Sequence, residues 1–199
     1  MCSICGEIDF YKQNENRLDI VKKMNYVQRH RGPDKSDIFI DHFAWLGHNR
    51  LSVIDIENGH QPMSVTYGNK KYTIVYNGEI YNCDELRREI KKKGIELKTN
   101  CDTEVVLYSY ILFGDNCPSR LNGIFACCVY DGEKAFLARD RFGIKPLYYS
   151  IKGSTLIFGS EIKAMLQNPL ISTNVDKEGF WELLYLSPNF VSGKSVFCD

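Results

Sequence analysis

The sequence lacks both a net charge and a long hydrophobic run. Its 25 Lys and Arg residues equal its 25 Asp and Glu residues, so the formal net charge at pH 7 is zero. That balance argues against a nucleic-acid-binding domain and against a protein that works on a membrane surface. No apolar run approaches the ~18 residues of a membrane span, and no basic segment with a leucine-rich core opens the chain. We therefore expect a cytoplasmic protein that has neither nucleic acid nor a membrane among its partners.

Internal repeats, low-complexity linkers and a complete metal-binding pattern are also missing. The four histidines have no paired helical spacing, and the Cys-x-x-Cys spacing of Cys2 and Cys5 does not recur. A structural zinc site needs two further ligands, so we expect no metal site. Without an export signal the eight cysteines should stay reduced. Four of them are predicted to be small buried or half-buried side chains, namely Cys83, Cys101, Cys117 and Cys128.

The composition is that of a globular protein. Hydrophobic residues make up 44% of the chain and aromatic residues 13%, which is enough for one large domain or two small ones. Apolar residues at helical spacing, such as Ile20, Met24 and Val27, predict helices over residues 18–28, 82–93, 103–113, 161–167 and 176–184. The helix over 103–113 is apolar nearly all round and should be buried.

Strands are predicted where β-branched and aromatic residues cluster or alternate. They cover residues 4–10, 37–40, 43–51, 72–76, 124–130, 135–139, 147–151 and 156–159, with a hairpin turn over 67–70. Strand clusters alternate with helix clusters, without a strict strand–helix–strand order. This pattern favours an α+β fold with antiparallel sheets flanked by helices.

Position 2 holds a cysteine that removal of Met1 would make the first residue. Cys2 would then carry a thiol and a free α-amine. An α-amine titrates near pH ~7.7–8.0 and accepts a thiol proton at neutral pH, so the pair is a nucleophile with its own base. The alternative is an incidental cysteine, since one residue names no function.

The segment Tyr-Asn-Gly-Glu-Ile-Tyr-Asn at 76–82 lies between a predicted strand and a predicted helix. Asn-Gly is a strong hairpin signal, so the local pattern favours a turn. The alternative is an oxyanion hole, in which the Asn77 side-chain amide and the Gly78 backbone N–H donate to one substrate oxygen.

Two charged residues also have open local interpretations. Arg50 ends an apolar strand pattern, and its guanidinium is either a surface charge or a planar clamp for a carboxylate. Asp102 precedes the apolar helix pattern, which favours a helix N-cap. The alternative for Asp102 is a partner for an ammonium group.

Six segments occur in order along the chain: Cys2, Arg-His-Arg-Gly-Pro-Asp at 29–34, Asn-Arg-Leu-Ser-Val-Ile-Asp at 49–55, Asn-Gly-Glu-Ile-Tyr-Asn at 77–82, Cys-Asp-Thr-Glu at 101–104 and Arg-Asp-Arg-Phe-Gly-Ile-Lys-Pro-Leu-Tyr at 139–148. Together they resemble the class II glutamine amidotransferase domain, and within it the N-terminal domain of glutamine-hydrolysing asparagine synthetases. The resemblance covers about residues 2–167. That family usually begins Cys-Gly-Ile, whereas Ser3 replaces the glycine here. A positive φ at this position would strain a serine.

The resemblance implies an N-terminal-nucleophile hydrolase fold, with two stacked antiparallel β-sheets between layers of helices. It implies that Cys2 is the nucleophile and that its own α-amine is the base. The oxyanion hole would consist of Asn77 and the N–H of Gly78. The reaction would convert glutamine, through a glutamyl thioester, to glutamate and ammonia.

The substrate-binding residues are implied in the same way. Arg50 resembles the clamp on the glutamine α-carboxylate, and Glu79 and Asp102 resemble the partners of its α-ammonium group. Backbone atoms of four consecutive residues would line the same pocket: Leu51, Ser52, Val53 and Ile54. Glutamine carries one carboxylate, one ammonium and one reactive amide, and these residues offer one cation, two anions and a pair of donors.

The resemblance also implies a longer parent protein. Residues 1–186 would form the glutaminase domain, and residues 187–199 would begin a linker to a C-terminal synthetase domain that amidates activated aspartate. We expect ATP and Mg²⁺ only in that domain, because Gly153 and Gly193 stand singly and form no phosphate cradle. L-Glutamine and the synthetase domain are therefore the expected partners, and a homodimer is left open. The alternatives are the glutaminase domain of another class II amidotransferase and a non-catalytic regulatory or docking domain of the same fold.

Overall fold

The computed structural model describes residues 1–11, 17–185 and 196–198, which form nine strands and six α-helices. The strands are Ser3–Asp9 (β1), Lys35–Ile40 (β2), Ala44–Arg50 (β3), Met63–Tyr67 (β4), Lys70–Ile80 (β5), Gly123–Tyr130 (β6), Ala135–Arg139 (β7), Tyr148–Lys152 (β8) and Thr155–Gly159 (β9). The helices are Arg17–Val27 (α1), Cys83–Lys92 (α2), Asp102–Phe113 (α3), Cys117–Arg120 (α4), Ile162–Met165 (α5) and Lys177–Leu184 (α6).

The strands form two sheets in which neighbouring strands are antiparallel. The first sheet, sheet A, has five strands in the order β2-β3-β1-β9-β8, and sheet B has four in the order β4-β5-β6-β7. The hairpin turn predicted over 67–70 joins β4 to β5. The predicted α+β class with two antiparallel sheets is confirmed.

Three hydrophobic clusters stack the layers. Ile4 and Leu46 of sheet A pack against Val75 and Cys128 of sheet B in the central cluster. A second cluster joins the other face of sheet A to α1 and α5, and a third joins the other face of sheet B to α2 and α3. This produces the predicted order of helices, sheet, sheet and helices. Of the four cysteines predicted to be buried or half-buried, Cys83 is half-buried and the other three are buried.

Strand β5 differs most from the prediction. The prediction covered residues 72–76, whereas the strand extends from Lys70 to Ile80 and is six residues longer. It therefore includes Asn77 and Gly78. These residues pair with Ala126 and Phe125 of β6, so the predicted Asn-Gly turn is wrong. Pairing with a continuous partner strand keeps both residues in the sheet, and such pairing overrides a local turn preference. Edge strand β4, which pairs with β5, was not predicted.

The predicted boundary between the domain and the linker, between residues 186 and 187, lies outside the described residues. Of the predicted linker, residues 196–198 are described, and they lie beside residues 174–176. Val175 forms an isolated antiparallel bridge with Phe197, and the Cys198 N–H donates to the Asn174 carbonyl at 3.0 Å. Across the described ranges, no helix has the length and apolarity needed to cross a membrane.

Candidate active site

Cys2 lies at the end of sheet A because β1 and β3 pair up to that point. Ser3 is opposite Asn49, so the chain that follows β3 passes next to Cys2. The Leu51 N–H points to the Cys2 Sγ at 3.4 Å, and the Leu51 carbonyl oxygen is 3.7 Å from the same sulfur. The half-buried thiol is thus held against the loop that leaves Arg50.

The backbone of Cys2 is held by a charged group that had no predicted role. Arg31 Nε donates to the Cys2 carbonyl at 3.2 Å, and Arg31 Nη1 is 3.2 Å from Glu161 Oε1. Burial opposes ionisation of Glu161, but hydrogen bonds from Lys163, Arg31 and His30 outweigh it and lower the pKa of this carboxyl. Arg31 therefore stays paired with an anion while it donates to the Cys2 carbonyl.

Ser3 fits its position without strain. Among the described non-glycine residues only Asp55 has a positive φ, so the concern about a serine at position 3 does not apply. The Ser3 hydroxyl is buried between Gln28 and Asn49: it donates to the Gln28 carbonyl at 3.4 Å and accepts from Asn49 Nδ2 at 3.0 Å. The serine thus links β1 to β3 and to the end of α1.

Arg50 is buried, with 5% of its surface exposed, so its interpretation as a surface charge is wrong. Its guanidinium donates to the carbonyl oxygens of Ile54, Asp55 and Ile56 at 3.1, 2.7 and 2.8 Å. The loop after β3 therefore wraps around this side chain. A Cβ at Gly59 would lie 2.5 Å from Arg50 Nη2, so glycine is needed where the loop passes closest.

Asn77 and Gly78 offer donors on β5, one of the two inner strands of sheet B. Asn77 Nδ2 is buried and has no hydrogen-bond partner within the described part of the chain. A Cβ at Gly78 would lie 2.6 Å from the Ile124 carbonyl oxygen, so no larger residue fits against β6. An unpaired buried donor is costly in a folded protein unless a ligand oxygen meets it.

Asp102 is the first residue of α3, and the N-cap position belongs to Cys101, so the N-cap interpretation is wrong. The Tyr76 hydroxyl donates to Asp102 Oδ2 at 2.8 Å. Burial raises the pKa of Asp102, although hydrogen bonds from Tyr76 and from nearby backbone N–H groups act in the opposite direction. The Asp102 carboxyl thus lies in the cleft wall, where it accepts from Tyr76 and from backbone N–H groups.

These residues surround one cleft of about 250 Å³. Nine of the ten predicted site residues line it, namely Cys2, Arg50, Leu51, Val53, Ile54, Asn77, Gly78, Glu79 and Asp102. Ser52 does not line the cleft, and its backbone N–H donates to Asp34 Oδ2 at 2.7 Å. The cleft thus brings a thiol, a guanidinium, two carboxylates and a free amide donor together.

Besides Met1, the cleft also contains residues for which no role was predicted: Gly59, Gln61, Tyr76, Cys101, Thr103 and Lys145. Lys145 enters through a loop built on Asp140, whose carboxylate accepts from the N–H groups of Ile144 and Lys145 at 2.9 Å each. The only feature of the sequence that pointed to Lys145 was its position in the last of the six segments. No local sequence pattern predicted the role of the Tyr76 hydroxyl, because its partner Asp102 is 26 residues away along the chain.

A metal-binding cluster of three or more His, Cys, Asp or Glu side chains is not found among the described residues. Cys5, the second cysteine of the Cys-x-x-Cys spacing, is fully buried, and its thiol is 3.7 Å from Asn25 Oδ1. Burial raises the pKa of the Cys5 thiol to about 12, which opposes the thiolate form that binds zinc.

The chain as a whole matches a known family. A family model described as a glutamine amidotransferase domain matches residues 1–198. The chain belongs to the family of glutamine amidotransferase domains. It is 44% identical over 199 residues to asparagine synthetase [glutamine-hydrolyzing] 3 of Bacillus subtilis, covering 99% of this chain and 32% of that protein. It is 39% identical over 171 residues to asparagine synthetase B of Escherichia coli, covering 83% of this chain and 30% of that protein. The domain thus spans about a third of these relatives.

Solved structures confirm the fold. A glutamine phosphoribosylpyrophosphate amidotransferase from B. subtilis, complexed with ADP and GMP, superposes with a TM-score of 0.70 at 21% identity. The superposition covers 82% of this chain and 43% of that one. A second structure, described as the allosteric regulatory enzyme of purine biosynthesis, has a TM-score of 0.68 at 20% identity. The domain therefore has the predicted N-terminal-nucleophile hydrolase fold.

Proposed function

We propose that this domain hydrolyses L-glutamine to L-glutamate and ammonia, with the Cys2 thiol as nucleophile. The observation that carries the proposal is the unpartnered, buried Asn77 Nδ2 in the same cleft as this thiol. A donor left free in the resting protein is what an oxyanion hole requires, because it meets its partner only when charge develops.

The proposed reaction begins once Met1 has been removed. The α-amine of Cys2 takes the thiol proton, and the thiolate forms a bond to the side-chain amide carbon of glutamine. Asn77 Nδ2 and the Gly78 N–H hold the oxyanion of the tetrahedral intermediate. The protonated amine gives its proton to the leaving nitrogen, and the C–N bond breaks to release ammonia. Water then hydrolyses the thioester to glutamate and restores the thiol.

Recognition of the rest of the substrate is assigned to the charged residues of the cleft. Arg50 is proposed to bind the α-carboxylate, since its planar guanidinium suits a carboxylate and lies in the cleft wall. Asp102 and Glu79 are proposed to bind the α-ammonium group. Leu51, Val53 and Ile54 are proposed to contact the substrate along the same cleft wall.

The ammonia is proposed to serve asparagine formation in a larger protein. The two synthetases compared above are named as glutamine-hydrolysing and are about three times as long as the matched region. We propose a C-terminal synthetase domain as partner, with ATP and Mg²⁺ needed there and no cofactor needed here. The 44% identity to a synthetase, against 21% to the phosphoribosylpyrophosphate enzyme, favours this branch of the family. We propose the cytosol as the location, since a reducing compartment keeps the free thiols reduced.

The test is glutamate release by the purified chain after intact-mass measurement has verified loss of Met1. We expect glutamate at the same rate with and without ATP and aspartate, and no asparagine. Cys2→Ala should abolish release without changing the melting temperature. Asparagine made by this chain alone, or no glutamate from protein that has lost Met1, would contradict the proposal. The second result would favour a docking or regulatory domain of the same fold.

A further inference from the structure

Tyr76 connects the two halves of the cleft that would bind the amide and the amino group of a substrate. It lies on β5 next to Asn77, its side chain is 2% exposed, and it lines the cleft. Its hydroxyl donates to Asp102 Oδ2 at 2.8 Å, at the start of α3. One residue therefore supports the proposed ammonium partner and directly precedes the proposed oxyanion donors.

The backbone of Tyr76 is held on both sides. Its N–H donates to Gln61 Oε1 at 2.7 Å, and its carbonyl is 3.1 Å from His48 Nε2. Gln61 Nε2 donates in turn to the Thr103 hydroxyl at 3.2 Å, beside Asp102. These bonds fix the hydroxyl of Tyr76 relative to α3, so that its position does not depend on the substrate.

Asp102 needs such a donor because its surroundings oppose its charge. Burial raises the pKa of this carboxyl. Two titratable side chains interact with it directly, Tyr76 from β5 and Cys83 from α2. The other titratable or charged side chains of the same cleft are Cys2, Arg50, Glu79, Cys101 and Lys145. A hydrogen bond to the ionised form favours that form, and the tyrosine hydroxyl supplies one.

We propose that Tyr76 is a positioning and specificity-determining residue of the glutamine site. Its hydroxyl holds the Asp102 carboxylate in one orientation toward the cleft, so the cleft prefers amides with an α-ammonium group to amides that lack one. The inference rests on the proposed hydrolysis of glutamine and adds the group that sets the preference for α-amino acid amides.

The test compares two substrates in the Tyr76→Phe variant, which loses one oxygen and keeps the ring. The substrates are L-glutamine and glutaric acid monoamide, which is glutamine without its amino group. We expect KM for glutamine to rise about tenfold, since a hydrogen bond to a charged group is lost, while kcat changes less than about twofold. KM for the monoamide should stay the same. The rise of KM for glutamine at acid pH should also begin at a higher pH than in the unchanged protein.

Tyr130→Phe is the matched control. Tyr130 is also 2% exposed, and its hydroxyl also donates to an aspartate, Asp41 Oδ2, at 3.0 Å. It does not line the active-site cleft. This variant should lower the melting temperature about as much as Tyr76→Phe and leave KM for both amides unchanged.

A second measurement separates this inference from the proposed reaction. Calorimetric titration of glutamine into Cys2→Ala protein measures recognition without turnover, and adding Tyr76→Phe should weaken binding about tenfold. If the unchanged protein hydrolyses neither amide, the proposed reaction fails, while this titration still decides the role of Tyr76. Equal losses for both amides, or unchanged glutamine binding and KM, would overturn the inference.

Discussion

Asn77 combines two features at the scale of a single residue. Its amide nitrogen is buried without a partner among the described residues, and it lies in the cleft that holds the Cys2 thiol. Leaving a buried donor unpaired costs on the order of 1–3 kcal/mol. Such a cost is typical of a site whose partner arrives with the substrate.

Replacing Asn77 by Ala should therefore slow glutamine hydrolysis far more than it destabilises the fold. We expect kcat to fall on the order of 10²–10³, the usual loss for one oxyanion donor. Steady-state kinetics and thermal unfolding of the same preparation measure both effects. A rate within a factor of about 3 of the unchanged protein would exclude Asn77 from the oxyanion hole.

Arg50 should not tolerate a lysine. Its guanidinium donates to three backbone carbonyls of the loop, and a lysine ammonium lacks the planar fork that serves several acceptors at fixed angles. We expect KM for glutamine to rise well over tenfold in Arg50→Lys. Lys35→Arg, a swap at an exposed position of β2, is the control and should leave KM unchanged. An unchanged KM in Arg50→Lys would show that this side chain takes no part in binding.

At the scale of elements, His48 links sheet A, which ends beside Cys2, to sheet B, which contains Asn77 and Gly78. It is fully buried on β3, and its Nε2 lies 3.1 Å from the Tyr76 carbonyl on β5. Burial lowers the pKa of this imidazole from 6.5 to about 3, and the hydrogen bond to the carbonyl only partly offsets that effect. The ring is therefore neutral at physiological pH. In this neutral form the Nε2–H donates to the Tyr76 carbonyl.

This neutral histidine predicts a pH dependence of stability. Its pKa is lower in the folded than in the unfolded chain, so its contribution is complete above pH 6.5 and is lost as the pH falls toward 3. The loss should approach ~1.4 kcal/mol per pH unit for this single proton. Denaturant unfolding between pH 7 and 4 measures it.

His48→Gln keeps an N–H donor but does not titrate, so it should remove this part of the slope. His60→Gln, which replaces an exposed histidine, should not change the slope. Identical slopes in the unchanged protein and in His48→Gln would refute the assignment to His48.

At the scale of the whole molecule, the site exists only because the layers are stacked. Cys2 directly precedes β1 and Arg50 ends β3 in sheet A, whereas Asn77 and Gly78 lie toward the C-terminal end of β5 in sheet B. Asp102 begins α3 in the outer helix layer. The hydrophobic cluster between the sheets keeps sheet A and sheet B in a fixed relative position, and with them these residues of the site. Any change that shifts one sheet on the other should therefore affect catalysis before it unfolds the domain.

The sequence alone determined most of the elements and the family. Alternating and helical apolar patterns predicted the buried helix α3, the turn between β4 and β5, and every strand except β4. These features depend on local periodicity and turn chemistry. The ordered segments from Cys2 to residue 148 predicted the family and nine of the residues that line the cleft. Ser52 was also predicted to line the cleft but does not, and residues such as Gln61 and Lys145 were not predicted. These are properties of neighbouring residues, so a linear sequence contains them.

Only the tertiary structure decided what the ambiguous residues do. Asn77-Gly78 is part of a strand because β6, more than 40 residues away, supplies its partners. Arg50 is buried because the loop that follows it folds back over its guanidinium, and Asp102 faces Tyr76 because β5 runs beneath the start of α3. In each case the local preference is worth less than about 1 kcal/mol. The hydrogen bonds and burial supplied by distant segments outweigh it, and no local pattern contains them.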